Sequence, residues 1–191
     1  MKKIMYAVAV VVLAAWALTV IGHNPQMDVW WWRKQLIYVT GLGSFVLMSL
    51  IMLLSVRPLW LEKRLHGLDK MYRLHKWAGI WAIGLALGHY LLDLSKDLLK
   101  VFFERGAKGQ RVETFLEMFR DAAKDVGEWS VWILGIMLVI TLWQRFPYHI
   151  WRYTHKTLSV IYLVIAFHGV VLAPAGWWTE PAGVLLAVSA V

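Results

Sequence analysis

The sequence predicts an all-α membrane protein, a six-helix transmembrane bundle whose sixth helix is truncated at the C-terminus. Three observations carry that expectation. Of 191 residues, 60% are hydrophobic and only 12 are acidic, with mean hydropathy +0.56, which leaves too little polar surface to cover a soluble globule. Apolar runs long enough to cross a hydrocarbon core of about 30 Å, roughly 20 helical residues each, recur along the chain. The 20 basic residues fall in short stretches between those runs. Membrane orientation explains that placement, so the net charge of +8 does not point to a nucleic acid partner.

Five runs are complete, at about residues 4–22, 36–56, 72–94, 129–146 and 155–173. The first follows Lys2 and Lys3, as the core of a secretory leader would. It is longer than a usual signal core, and a retained span is expected. The sixth run starts at Pro181, a good first-turn residue. To Val191 it rises only about 16 Å, so it is read as part of a span or as a segment that dips in without crossing.

Charge sets the expected orientation. Lys2, Lys3, Arg57, Lys63, Arg64, Lys70, Arg73, Lys76, Arg145, Arg152 and Lys156 lie on one side with only Glu62 and Asp69, a balance of +9, against −1 on the other side. The positive-inside rule then places the N-terminus and the loops 57–71 and 146–154 in the cytoplasm. Trp30, Trp31, Trp32, Trp177 and Trp178 form an aromatic belt at the opposite face. The expected location is integral to a bilayer, read as a bacterial inner (plasma) membrane.

The outer segment 95–128 reads as amphipathic, lying on the membrane or capping the bundle. Val112, Phe115, Leu116, Phe119 and Ala123 recur at helical spacing opposite Glu113, Glu117, Arg120 and Lys124, after a break at Gly106 and Gly109. Residues 1–191 form one domain. The absence of cysteine excludes disulfides, thiolate nucleophiles, Cys-ligated zinc and iron–sulfur clusters.

Seven histidines are present. His23, His66 and His149 fall in loops or at a helix boundary and read as interfacial or solvated. His75 and His89 lie in the third span, His155 and His168 in the fifth, at matched depths on helices that run the same way. Ionisable residues inside spans are costly and mark function by default. A planar cofactor between two helices needs one imidazole from each side at the same height. Two stacked bis-histidine hemes are therefore expected, His75 with His155 and His89 with His168. The alternative is that these are polar bundle residues hydrogen-bonded between helices. A protein-held zinc or copper site is the weaker alternative, because ligands about 20 Å apart along each helix cannot converge on one ion.

Fourteen residues rise about 21 Å and return to within about 40° of the starting face. His75 and His89 thus share a face, with the small residues Gly79, Ala82 and Ala86 between them. Ser159, Tyr162 and Ala166 hold the matching face above His155, and Tyr162, with Trp81 nearby, is the candidate for an inter-heme path. The spacing of 13 to His168 is off phase by about 140° and calls for a local distortion or a tilted heme. Arg73, Lys76, Arg152 and Lys156 flank the inner pair, where propionates would emerge, though topology alone accounts for their charge. Arg33, Lys34 and Lys96 are candidates at the outer pair.

The stretch Gly67-Leu68-Asp69-Lys70-Met71-Tyr72-Arg73-Leu74-His75-Lys76-Trp77-Ala78-Gly79 and the second His fourteen residues on resemble the ferric reductase-like transmembrane family. So does Trp151-Arg152-Tyr153-Thr154-His155, with its partner thirteen on. The likeness covers about residues 36–191, and the spacing of 13 is itself a family feature. The resemblance implies a six-helix bundle with two b-type hemes that pass electrons from a cytoplasmic flavin (FAD), reduced by NAD(P)H, to an extracytoplasmic acceptor such as ferric iron or oxygen. Two departures stand out: Asp93 occupies the position where NADPH oxidases carry a further His, and no Gly-rich dinucleotide fingerprint follows a strand. The flavin and nicotinamide module is therefore expected on a missing or separate domain. Two other roles compete. One is a quinone-linked, heme-containing membrane anchor of a separate periplasmic reductase; the other is a channel or scaffold whose histidines line a polar cavity.

Overall fold

A computed structural model describes residues 2–21, 27–104 and 115–190. Among them there is no strand; eight α-helices follow one another, α1 (Lys2–Val20), α2 (Val29–Val56), α3 (Leu59–Leu65), α4 (Leu68–Phe102), α5 (Arg120–Leu142), α6 (Tyr148–Lys156), α7 (Leu158–Leu172) and α8 (Pro181–Ala190). Short 3₁₀ turns at Phe115–Phe119 and Ala175–Thr179 precede α5 and α8. Five stretches are long and apolar enough to span a membrane: α1, α2, α4, Phe115–Leu142, and Tyr148–Leu172, which joins α6 to α7. The protein is an integral membrane protein by this measure. α8, with 10 residues, is a shorter apolar helix beside them.

The helices run past the predicted apolar runs. α2 begins at Val29 because the Asp28 carboxylate accepts the Trp31 N–H at 2.7 Å, a side-chain N-cap. It ends where Arg57 takes left-handed backbone (φ 54°) ahead of Pro58. The loop expected at 57–71 contains α3, closed by His66 (φ 61°) and Gly67 (φ 116°). α4 has 35 residues and rises about 52 Å, well beyond a core of about 30 Å. The outer segment 95–128 is described only at its two ends. Its first eight residues continue α4, and Arg120–Glu128 open α5. Phe115, Leu116 and Phe119 lie in the 3₁₀ turn. Gly106, Gly109, Val112 and Glu113 lie outside the described residues, as does His23.

α2 is the central helix, and its main partner is the antiparallel α4. Their contacts repeat every seven residues on both: Ile37 against His89, Ser44 Oγ donating to the Ala82 carbonyl at 2.8 Å, and the Ile51 backbone facing His75. A seven-residue repeat is what keeps one seam of two helices in register. Buried residues form successive layers along α2: Val12, Leu42, Phe45, Ala182 and Leu186; then Leu47, Met48, Ala78, Ala82 and Leu134; then Leu54, Met71 and Leu74. α1 is built into the first layer, and its Thr19 hydroxyl accepts the Ala182 N–H at 3.0 Å, satisfying a first-turn donor of α8. α8 runs from there to the level of Ser49, whose Oγ donates to the Ser189 carbonyl at 2.7 Å.

The fifth span is interrupted at Thr157. The Thr157 N–H bonds to the Thr154 carbonyl at 3.2 Å and the Val160 N–H to the Thr157 carbonyl at 3.0 Å, both three-residue steps. The Thr157 and Ser159 hydroxyls donate to the carbonyls of Thr154 (2.7 Å) and Lys156 (2.8 Å) and hold the turn closed. The interruption lies between His155 and His168, within the spacing of 13.

Candidate functional site

The four span histidines stand in two pairs between α4 and the α6–α7 span. His75 and His155 have ring centroids 6.1 Å apart with planes at 50°; His89 and His168 are also 6.1 Å apart, with planes at 76°. Two imidazoles that bind one iron from opposite faces have ring centres about 6 Å apart, since each metal–nitrogen bond is about 2 Å and the ring centre lies about 1 Å beyond the nitrogen. Both pairs have the separation such an axial pair needs. No group of three or more His, Asp or Glu among the described residues could hold a metal ion by itself. Each pair instead sets two imidazoles facing one another, a donor set of the kind that can hold a planar iron cofactor.

The two levels differ in how the rings are held. His89 Nδ1 lies 2.9 Å from the Ile37 carbonyl on α2, and His168 Nδ1 lies 2.7 Å from the Ala123 carbonyl on α5. A carbonyl only accepts, so each Nδ1 carries the proton and donates it, which leaves Nε2 with its lone pair. That is the tautomer of a metal-ligating histidine fixed by a second hydrogen bond. In the other pair, His75 faces the Ile51 backbone. His155 stacks on Trp151 at 4.8 Å and 26°, and its buried Nδ1 has no hydrogen-bond partner.

A cavity of about 1000 Å³ opens around His75 and His155, at the upper end of cofactor-sized pockets (about 300–1,000 Å³). Its walls are mostly apolar side chains of α2, α4, α5 and α7, and Gly79, Ala82, Ser159 and Tyr162 all line it. The small residues predicted on the His75 face therefore do open space, while Ala86 is buried in packing. Of the four flanking cations, Lys76 and Lys156 line the cavity. Arg73 and Arg152 do not: Arg73 is tied to Asp69 at 2.8 Å one turn back, and Arg152 is exposed. Arg57 does line it, with its guanidinium 5.0 Å from the Tyr72 ring centre. Sequence reasoning used Arg57 only for topology, although Arg-Pro at a helix end signals a side chain turned across the helix terminus.

Tyr162 lies between the levels and is firmly engaged. Its ring stacks on Phe45 (5.5 Å, 4°), and its hydroxyl donates to the Ser189 carbonyl at 2.5 Å and meets Ser49 Oγ at 3.1 Å. Trp81, expected near it, is 58% exposed on the outside of α4. At the other level, Arg33 donates to the Asp93 carbonyl (2.6 Å) and carboxylate (3.1 Å) and to Ser95 Oγ (3.3 Å). Lys34 lies 5.7 Å from the Tyr38 ring centre, and Lys96 is half-buried. His66 and His149 are exposed.

Comparison with curated proteins and with solved structures gives no match. A family model, described as ferric reductase like transmembrane component, matches residues 40–166, two thirds of the chain, including His75, His89 and His155 and ending two residues short of His168. The chain belongs to the ferric reductase-like transmembrane family.

Proposed function

We propose that this chain carries electrons across the membrane through two b-type hemes, bound by His75 with His155 and by His89 with His168. The observation that carries the proposal is the recurrence of one ring separation, 6.1 Å, at two levels of the same helix pair. Membership of a family of membrane oxidoreductase domains supports it independently. Each heme, when bound, supplies an iron that alternates between ferric and ferrous and so takes one electron at a time.

The protein's own groups hold and orient. His89 and His168, with Nδ1 donating to carbonyls, keep Nε2 for the iron, and the mostly apolar walls of the His75/His155 cavity favour a planar, mostly apolar ligand. Lys76, Lys156 and Arg57 stand where propionate carboxylates would leave that cavity. Positive charge on that end orients it to the cytoplasm, with the N-terminus on the same side. The donor we propose there is a flavin (FAD) reduced by NAD(P)H on a flavoprotein module; the acceptor is extracytoplasmic, ferric iron or oxygen. Purified protein tests the reading directly. An absorption spectrum should show sharp, dithionite-reducible bands of bis-imidazole heme, with two hemes per chain by pyridine hemochrome; protein free of heme after expression with heme supplied would sink it.

A further inference from the structure

The rings of the His89/His168 pair lie against glycines. An added Cβ at Gly41 would stand 2.9 Å from His89 Nδ1 and 3.0 Å from its Cε1, and one at Gly127 would overlap the His168 ring outright. Each glycine is also four residues beyond the carbonyl that the same ring bonds: Ile37 and Gly41 on α2, Ala123 and Gly127 on α5. One helical turn separates such residues, so the carbonyl and the bare Cα lie one above the other on one face. Two different helices thus present the same socket, an acceptor at one level and a missing side chain at the next.

We infer that Gly41 and Gly127 are positioning residues for the His89/His168 pair: the two bare Cα sockets let each ring lie flat on a neighbouring helix, donate Nδ1–H to its carbonyl and turn Nε2 inward. The inference rests on the heme reading of these histidines. Without its socket each ring would have to move away from the carbonyl that selects its tautomer, by an amount that the clash at that site sets. The geometry grades the two sites. A methyl at 41 asks the ring to give by a few tenths of an ångström, whereas a methyl at 127 requires the His168 ring to leave its place.

The test is alanine at each position, read by heme content and by the ferric low-spin EPR signal, which responds to the angle between axial imidazole planes. The wild type should bind two hemes. Gly127→Ala should bind about one, with the His75/His155 heme kept as proof of folding. Gly41→Ala should keep most of its second heme with a shifted EPR signal. Gly135→Ala on α5 and Gly84→Ala on α4, where an added Cβ meets nothing within 4 Å, should leave both readouts unchanged. Alanine is the better helix former, so a loss confined to positions 41 and 127 runs against backbone propensity and reports the sockets. Two hemes and an unaltered signal in Gly127→Ala would overturn the inference while leaving the heme reading intact. Equal loss in Gly135→Ala would overturn it too, whereas a wild type without heme would defeat the underlying reading.

Discussion

Replacing Tyr162 separates a structural brace from an electron path. The residue sits between the two histidine levels, yet every part of it is engaged: the hydroxyl joins α7 to Ser189 on α8 and Ser49 on α2, and the ring stacks on Phe45. Tyr162→Phe removes only the hydroxyl. The Ser189 carbonyl keeps the Ser49 hydroxyl at 2.7 Å, so no buried acceptor is orphaned. Interhelical polar contacts in membranes average about 0.6 kcal/mol and reach about 1.7, so a loss of about 1 kcal/mol is expected. Tyr162→Leu also gives up the stack, about 0.5–1.5 kcal/mol, and ring volume, for a total of about 2–4 kcal/mol. At about 2–4 °C per kcal/mol for a chain of this size, Phe should lower the melting temperature in detergent by about 2–4 °C and Leu by about 4–16 °C. Both should retain two hemes, with inter-heme transfer in flash kinetics at the wild-type rate. A Leu variant that melts like wild type but transfers electrons tenfold more slowly would refute the brace and make Tyr162 part of the path.

Three further outcomes follow from the geometry. His75→Ala or His155→Ala should each leave one heme per chain by pyridine hemochrome, because each pair is built at its own depth; two hemes in either variant would remove that pair from the site. Ser44→Ala takes away the buried hydrogen bond to the Ala82 carbonyl at the middle contact of the α2–α4 seam. It should cost about 0.6–1.7 kcal/mol in detergent unfolding without changing heme content. Lys76→Gln removes a cation from the rim of the His75/His155 cavity. A nearby positive charge favours the reduced heme, so the midpoint potential of that heme alone should fall, by no more than about 1 kcal/mol equivalent because water screens the rim. A fall in both potentials would place Lys76 elsewhere in the electrostatics.

What was legible in the sequence is what periodicity and depth encode. Five spans, two levels of histidine and the small residues Gly79 and Ala82 beside them follow from helical rise, helical phase and the cost of ionisable groups in lipid. Helix ends were not legible from apolar runs, because hydropathy reports the part of a helix in hydrocarbon and says nothing of turns continuing into the headgroup layer. α4 therefore extends to Phe102 and α2 back to Val29. The Arg73–Asp69 pair, by contrast, was signalled locally, since Asp69 stands four residues before Arg73, the spacing of a helical ion pair. The Arg33–Asp93 pair joins residues sixty apart, and nothing local announces it. It gives Asp93 a structural partner on α2.

The unequal spacings, 14 on α4 and 13 on α6–α7, come from a difference in winding rather than from a misfit. A 3₁₀ residue rises about 2.0 Å against about 1.5 Å for an α-helical one, so each tight step recovers about 0.5 Å of the roughly 1.5 Å by which thirteen regular residues fall short of fourteen. Each tight residue also adds about 20° of rotation, in the direction that reduces the phase error of about 140° in an ideal helix. The turn at Thr157 thus acts on rise and phase together, and the ring separation is 6.1 Å at both levels. The hydroxyls of Thr157 and Ser159 that close the turn lie soon after His155, so the distortion falls between the two histidines rather than at either one. Displaced beyond His168, the same turn would leave the span regular between the ligands and the second pair about 1.5 Å out of level.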